Sequence, residues 1–201
     1  MSVDTVRKTF TDWAPHYDAT HGSMLLKRCE ARLALGAQRG DRLLDIACGT
    51  GLNFPHLREL AGDEGYVMGV DVTPAMLDIA REKIVRHEWT NVEVREADAA
   101  QLPFPDASFD KAICAFAMNI IPDYARAIEE VERVLAPGGW FVVLDVQLTI
   151  NRVPRWLNWL PRICAVDLGH QTVDEVRRVF TRVELRKYWA GFIYIAVATK
   201  G

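Results

Sequence analysis

The run Leu43-Leu44-Asp45-Ile46-Ala47-Cys48-Gly49-Thr50-Gly51-Leu52-Asn53-Phe54 sets a short apolar segment against a glycine-rich turn. The apolar part, Arg42 to Ala47, is interrupted only by Asp45. It is too short and too soon broken for a helix, and it reads as a buried strand of a parallel sheet. After the glycines, Leu52, Leu57 and Leu60 fall at helical spacing. Strand, glycine turn and helix together open a nucleotide-type crevice, because glycine lets the backbone turn tightly and approach a ligand with no Cβ between. A dinucleotide fingerprint needs a third glycine where Phe54 stands, and a P-loop needs a lysine after the turn. Neither is present. The turn therefore takes a ligand against its backbone without a pyrophosphate grip, and the acid at Asp45 favours a ligand with a cationic group.

Downstream, Tyr66 to Val70 reads as a second strand ending in Asp71, twenty residues after Gly51. An acid at that point can accept both hydroxyls of a ribose, its competing role being a solvated loop charge. Thr73 and Pro74 form a cap and first position for a helix carrying Met76, Leu77, Ile79, Ala80, Ile84 and Val85. Asn91 to Ala97 alternates as a third strand and ends at Asp98-Ala99-Ala100, where an Asx turn or a helix cap is the simplest role for the acid. The prolines of Leu102 to Asp110 force an irregular loop, and Lys111 to Phe116 is the fourth strand. Ala115 to Asp123 follows it, with carbonyls able to accept from a ligand ammonium. A helix with Ala127, Ile128, Val131, Val134 and Leu135 on one stripe is then stopped by Pro137-Gly138-Gly139, before a fifth strand, Trp140 to Val146.

Roughly forty residues precede the first strand. Ser2 to Trp13 has a helical pattern with Val6, Phe10 and Trp13 on one side, Pro15 breaks it, and a second helix runs from Ser23 to Leu35. These helices are placed to cover the carboxyl ends of the strands, where ligands of open parallel sheets lie. At the other end, Ile150 to Gly169 mixes Trp156 and Trp159 with Arg152, Arg155 and Arg162. Such a segment suits the wall of an apolar pocket, a helix packed on its own domain, or a lipid interface. Thr172 to Phe180 is a helix with a capping box from Thr172 and Glu175. Val183 to Tyr188 and Phe192 to Thr199 form a hairpin across Ala190-Gly191.

The 201 residues suffice for one sheet covered on both faces, and a formal net charge of −3 gives no basic surface for nucleic acid. Apolar runs are strand-length and Met1 to Thr11 has no signal-peptide core, so a cytoplasmic protein is expected. Cys29, Cys48, Cys114 and Cys164 show no metal-ligand spacing, and no metal is expected.

Asp-Ile-Ala-Cys-Gly-Thr-Gly at 45–51, Leu-Pro-Phe-Pro-Asp-Ala-Ser-Phe-Asp at 102–110 and Arg-Val-Leu-Ala-Pro-Gly-Gly at 133–139 resemble motifs of the class I S-adenosylmethionine methyltransferases. The likeness is to the ubiquinone/menaquinone-biosynthesis group, with Trp13 to Asp18 also similar to bacterial phospholipid N-methyltransferases. The resemblance implies an α/β, doubly wound, seven-stranded Rossmann-like sheet in the order 3-2-1-4-5-7-6 with the last strand antiparallel. It implies a single domain over 1–201, with a helical cap over 1–40 and a catalytic core over 41–201. S-adenosylmethionine would be held by Tyr17 and Asp45 at the methionyl end (Asp45 directly or through water) and by Gly49 and Gly51 through the main chain. Asp71 and Val72 would take the ribose, Asp98 and Ala99 the adenine, and Ala115 the ammonium. S-adenosylhomocysteine would be the product.

The resemblance leaves the acceptor between a quinone or phenol ring and the amine of a phospholipid ethanolamine, with peripheral membrane contact left open. No general base stands out: His16, His21, His170 and Tyr17 are the candidates, with Tyr188 and Tyr194 as binding groups. A non-catalytic S-adenosylmethionine-binding regulatory subunit and a nucleotide-dependent oxidoreductase are the competing readings.

Overall fold

The computed structural model describes residues 2–21, 25–147 and 171–201. The segment 150–169 and His170 therefore lie outside the described residues, as does the side chain of His21. Seven strands form one sheet in the order β3-β2-β1-β4-β5-β7-β6. They are β1 (Arg42–Ile46), β2 (Tyr66–Asp71), β3 (Val92–Glu96), β4 (Phe109–Ala115), β5 (Leu135–Val146), β6 (Arg182–Tyr188) and β7 (Ile193–Thr199). The first five pair in parallel, for instance Leu44 with Met68 and with Ala112, while β7 runs antiparallel to both β5 and β6. The expected order and closing strand are as found.

Period-two alternation divides the sheet into two buried faces. Leu44, Ile46, Met68, Val70, Ala112, Cys114, Phe141 and Val143 share one apolar cluster with Ala127, Ile128, Val131, Val173 and Val176. Those last five belong to helices Tyr124–Val134 and Thr172–Val179. Leu43, Val67, Val92, Ile113, Val142 and Leu144 face the other way, onto Ala31, Leu35, Leu57 and Leu77. In chain order the helices are α1 (Val3–Trp13), α2 (Tyr17–His21), α3 (Leu25–Ala34), α4 (Phe54–Ala61), α5 (Pro74–Arg86), α6 (Tyr124–Val134) and α7 (Thr172–Val179). The same alternation turns Asp45 toward the α3 and α4 side, where it is completely buried.

Local chemistry departs from expectation at several joints. Ser2 caps α1 by accepting from the Thr5 amide at 3.2 Å. Pro15 does not end helical structure: Ala14–His16 tighten into a 3₁₀ turn and α2 continues directly. Thr73 stands at the cap position of α5 but makes no side-chain cap bond, because its hydroxyl and amide are both directed to Asp71. The capping box of α7 is not formed: Gln171 holds the cap position, and Thr172 is inside the helix and buried. Pro137-Gly138-Gly139 is not a turn before the strand but an irregularity within β5, between the pairs Phe109–Leu135 and Lys111–Trp140. The terminal hairpin turns through a 3₁₀ segment, Trp189–Gly191, rather than through Ala190-Gly191 alone.

Phe54 shows why the turn after β1 has no third glycine. Its ring is fully buried under the sheet. A Cβ added to Gly51 would lie 2.5 Å from Phe54 Cδ2, and one on Gly69 of β2 would lie 2.5 Å from its Cζ. The space that a dinucleotide fingerprint clears with glycine on the helix is here filled by a ring and cleared on the strand.

Candidate active site

Strand order reverses between β1 and β4, and at that switch point the carboxyl ends of the strands leave a crevice. The backbone there is bent sharply: Ala47 (φ 52°) and Phe116 (φ 60°), just beyond β1 and β4, both adopt the left-handed conformation without being glycine. Strain of this kind persists where the surroundings impose it, and it clusters at functional sites. A cleft opens there. Ala47, Gly49, Val70, Asp71, Val72, Thr73 and Met76 line it beyond β1 and β2, with Ala97, Asp98 and Ala99 beyond β3 on one flank and Ala115, Phe116, Ala117, Ile120, Ile121 and Pro122 from the end of β4 on the other. Val3, Val6, Phe10 and Tyr17 of the N-terminal helices complete the wall.

The cap is pinned at two places. Arg7 donates from Nε to the Val72 carbonyl at 3.0 Å and from Nη2 to Glu96 at 3.2 Å, tying α1 to the ends of β2 and β3. Asp18 of α2 accepts from the Thr50 hydroxyl at 2.5 Å and pairs with Lys83 of α5 at 2.6 Å. Lys83 also donates to the Thr50 carbonyl at 2.8 Å. These pins join the cap to the glycine turn, and no periodicity in the sequence announces them.

Asp71 sits at the cleft with its Oδ2 accepting from the Gly49 amide at 2.9 Å and its Oδ1 from the Thr73 amide at 2.8 Å, and the Thr73 hydroxyl and Val72 amide are directed to it as well, which fixes the carboxylate. Burial pushes its carboxyl above the ordinary range, opposed by those amides. Asp98 closes an Asx turn, Oδ1 accepting from the Ala100 amide at 2.9 Å, and it lines the cleft as well. At Gly49 (φ 56°) an added Cβ would meet only Tyr17, at 3.9 Å, so the loop backbone lies open toward the cleft. A nucleoside with a charged tail fits this set: hydroxyl acceptors at one end, bare main chain in the middle, apolar walls on both sides.

Tyr17, Gly49, Asp71, Val72, Asp98, Ala99 and Ala115 are thus brought together around one cleft. Two expected residues are not. Gly51 lies behind the wall, where it makes room for Phe54. Asp45 is sealed beneath the turn, both oxygens accepting from Asn53 Nδ2 at 3.1 Å. Burial raises its carboxyl to about 7, against the opposing influence of Asn53 and Arg28. Any effect of Asp45 on a ligand passes through those neighbours.

Among the base candidates, His16 is exposed and away from the lining. Tyr194 is buried within the core, and Tyr188 lies outside the cleft lining. Residues that sequence reasoning passed over include Arg28, Asp18 and Lys83; the helical stripe found Val6 and Phe10 but assigned them no ligand.

A methyltransferase domain model matches residues 44–143. A demethylmenaquinone methyltransferase of Listeria monocytogenes serotype 4a is 34% identical over 158 residues, which cover 76% of this chain. The chain spans 66% of that relative's length. Among solved structures, a SAM-dependent methyltransferase from Aquifex aeolicus aligns over the whole of both chains with a TM-score of 0.69 at 20% identity. Haemonchus contortus phosphoethanolamine N-methyltransferase 2, in complex with S-adenosyl-L-methionine, gives a TM-score of 0.73 at 17% identity over 84% of this chain and 52% of its own. The sheet order, the cleft at its switch point and the sequence likeness converge, and the chain belongs to the class I S-adenosylmethionine-dependent methyltransferases.

Proposed function

We propose that this protein transfers a methyl group from S-adenosylmethionine to a small apolar ring acceptor of the quinol or phenol class. The composition of the cleft carries this reading. Phe10, Phe116, Ile120, Ile121 and Pro122 supply apolar walls, and no Lys, Arg or His is among the described lining residues. A phosphate-bearing acceptor calls for a cation to meet its charge, whereas a flat ring calls for aromatic and aliphatic walls. The name of the Listeria relative agrees with a quinone-type acceptor.

When bound, S-adenosylmethionine supplies a methyl group already activated on a sulfonium, ready for in-line displacement. The residues of this chain then have to align two ligands and keep water out. Alignment of this kind can lower a barrier by about 7–11 kcal/mol. In this reading Asp71 and Val72 hold the ribose, Asp98 and Ala99 the adenine, and Gly49 with the Ala115 carbonyl the amino-acid tail. Burial raises the Tyr17 hydroxyl above its ordinary range, so it keeps its proton and serves as a hydrogen-bond donor rather than a base. The apolar wall from Phe116 to Pro122 excludes water from the acceptor side.

The test is methylation with isotope-labelled S-adenosylmethionine of a reduced naphthoquinol, a simple phenol and phosphatidylethanolamine vesicles. Label in the quinol or phenol is expected. Label confined to the ethanolamine lipid would replace the acceptor class, and S-adenosylmethionine binding without turnover on any of them would favour a regulatory subunit.

A further inference from the structure

β5 runs parallel to β1 and β4, and β7 returns antiparallel to it, with Val146 opposite Ile193 and the Gln147 amide donating to the Phe192 carbonyl at 2.7 Å. The turn between β6 and β7 therefore stands at the carboxyl ends of the parallel strands, the end at which the cleft opens. Adjacent strands lie about 4.8 Å apart, so β7, two places from β4 in the sheet, sets this turn roughly 10 Å from the line of β4.

The turn shows apolar surface to solvent. Trp189 is 70% exposed and Phe192 42%. Trp189 and Ala190 both hold left-handed backbone (φ 49° and 54°), which is costly for residues that carry a Cβ. Cations flank the rings. Val183 and Leu185 pack on the α6 and α7 side and Tyr188 on the α3 side, so the alternation along β6 puts Lys187 and Arg186 on opposite faces of the strand. Both are exposed. Glu30 of α3 stands against them, bonded with Arg186 to the Tyr188 hydroxyl, while Glu184 further along β6 is paired with Arg182.

We propose that the turn between β6 and β7 is a docking surface for an anionic lipid bilayer. Trp189 and Phe192 enter the headgroup layer, and Arg186 and Lys187 meet lipid phosphates from either face of β6. An indole has an apolar ring and one polar N–H, which suits this boundary, and long cationic side chains lay their stems on apolar surface while the charge reaches a phosphate. A second copy of the chain fits less well. Two rings fall far short of the roughly 800 Å² that each partner buries in a standard interface, and lysine is depleted from such interfaces. A two-fold contact would also set the cations of one copy against those of the other. Docking brings the cleft end of the sheet to the bilayer, where an apolar acceptor dissolves. That purpose rests on the proposed acceptor class; the surface itself does not.

Sedimentation of the full chain with vesicles of phosphatidylcholine, alone or mixed with phosphatidylglycerol, tests this. The wild type should prefer the anionic vesicles by roughly tenfold or more, and the preference should shrink as salt is raised. Trp189→Ser combined with Phe192→Ser should weaken binding to anionic vesicles about tenfold or more. Lys187→Glu should weaken it at least about fivefold and leave the feebler binding to neutral vesicles unchanged. Both variants should keep the wild-type Tm and affinity for S-adenosylmethionine, since none of these residues lines the cleft. Absence of wild-type binding, or equal binding by wild type and variants, overturns the proposal. So does dimerisation that disappears in the serine variant, which makes a second copy the occupant. A fall in Tm of several degrees in that variant overturns it as well, because the rings then pack on their own chain. Vesicle binding by a protein that methylates neither quinol nor phenol overturns the acceptor class and leaves the docking surface standing.

Discussion

Asp71 concentrates more of the site's geometry than any other side chain. Its two oxygens hold the Gly49 and Thr73 amides, so removing it releases the glycine turn and, on the proposed reading, also deletes the ribose acceptors. Asp71→Ala is expected to weaken S-adenosylmethionine binding by roughly 1–3 kcal/mol, measured by calorimetry on folded protein. Unchanged affinity would mean the ribose lies elsewhere. Two other acids, Asp45 and Asp145, are fully enclosed, and burial raises each to about 7. Asp145 accepts from the Asn119 amide and side chain and so braces the loop carrying Ile120 and Ile121. Since these carboxyls hold their protons to higher pH in the folded chain than the value of about 3.9 in the unfolded one, their stabilising effect is complete below that value. It is lost as pH rises through about 7. Urea denaturation should therefore show stability falling by a few kcal/mol, as an order of magnitude, between about pH 4 and pH 8. Asp45→Asn should flatten the slope even though the variant is less stable throughout.

At the level of elements, the fit between Phe54, Gly51 and Gly69 sets the distance of α4 from the sheet. Gly51→Ala places a methyl in the Phe54 ring at a left-handed position (φ 78°) and should cost about 1–3 kcal/mol, read as a drop in Tm. Phe54→Leu in the same chain should return part of that loss, because it frees the space the methyl needs. An additive double mutant would sink this account. The same motif shows what was legible in the sequence. Strand, turn and helix were readable from Arg42 to Leu60, since apolar runs and glycines are local signals. The reason for Gly51 was not, because the ring it makes room for also needs Gly69 of the neighbouring strand. Spacing placed Asp71 at a strand end, and it lines the cleft, whereas Asp45, expected to meet the donor directly or through water, lies buried beneath the turn on Asn53. Thr172 looked like a cap from its neighbours' identities, yet the helix begins one residue earlier and buries its hydroxyl. Arg28 gave no signal at all: a cation on an amphipathic helix reads as solvated until the fold turns it inward. The pin between α2 and α5 belongs to this scale too. Lys83→Met should raise the Kd for S-adenosylmethionine roughly fivefold, about 1 kcal/mol for a half-exposed pair, with faster hydrogen exchange across residues 3–20.

Taken whole, the molecule presents a mixed sheet with its charged edge strand, β6, bearing Arg182, Glu184, Arg186 and Lys187, a composition that discourages strand addition from outside. Among the described residues no helix is long and apolar enough to cross a membrane. Exposed aromatics gather at the end of the hairpin, Trp189 and Phe192, beside the carboxyl end of β5 where the Gln147 amide meets the Phe192 carbonyl at 2.7 Å. The larger consequence comes from the cap. Held by Arg7 at one end and Asp18 at the other, it walls the cleft, and exchange of the spent nucleoside for a fresh donor is expected to set the pace of turnover. Rapid-mixing experiments should show a first burst of methylated product close to one per protein chain, followed by a slower steady phase. Arg7→Ala should quicken the steady phase and leave the burst alone, the signature of a catalyst governed by its doorway rather than by its chemistry.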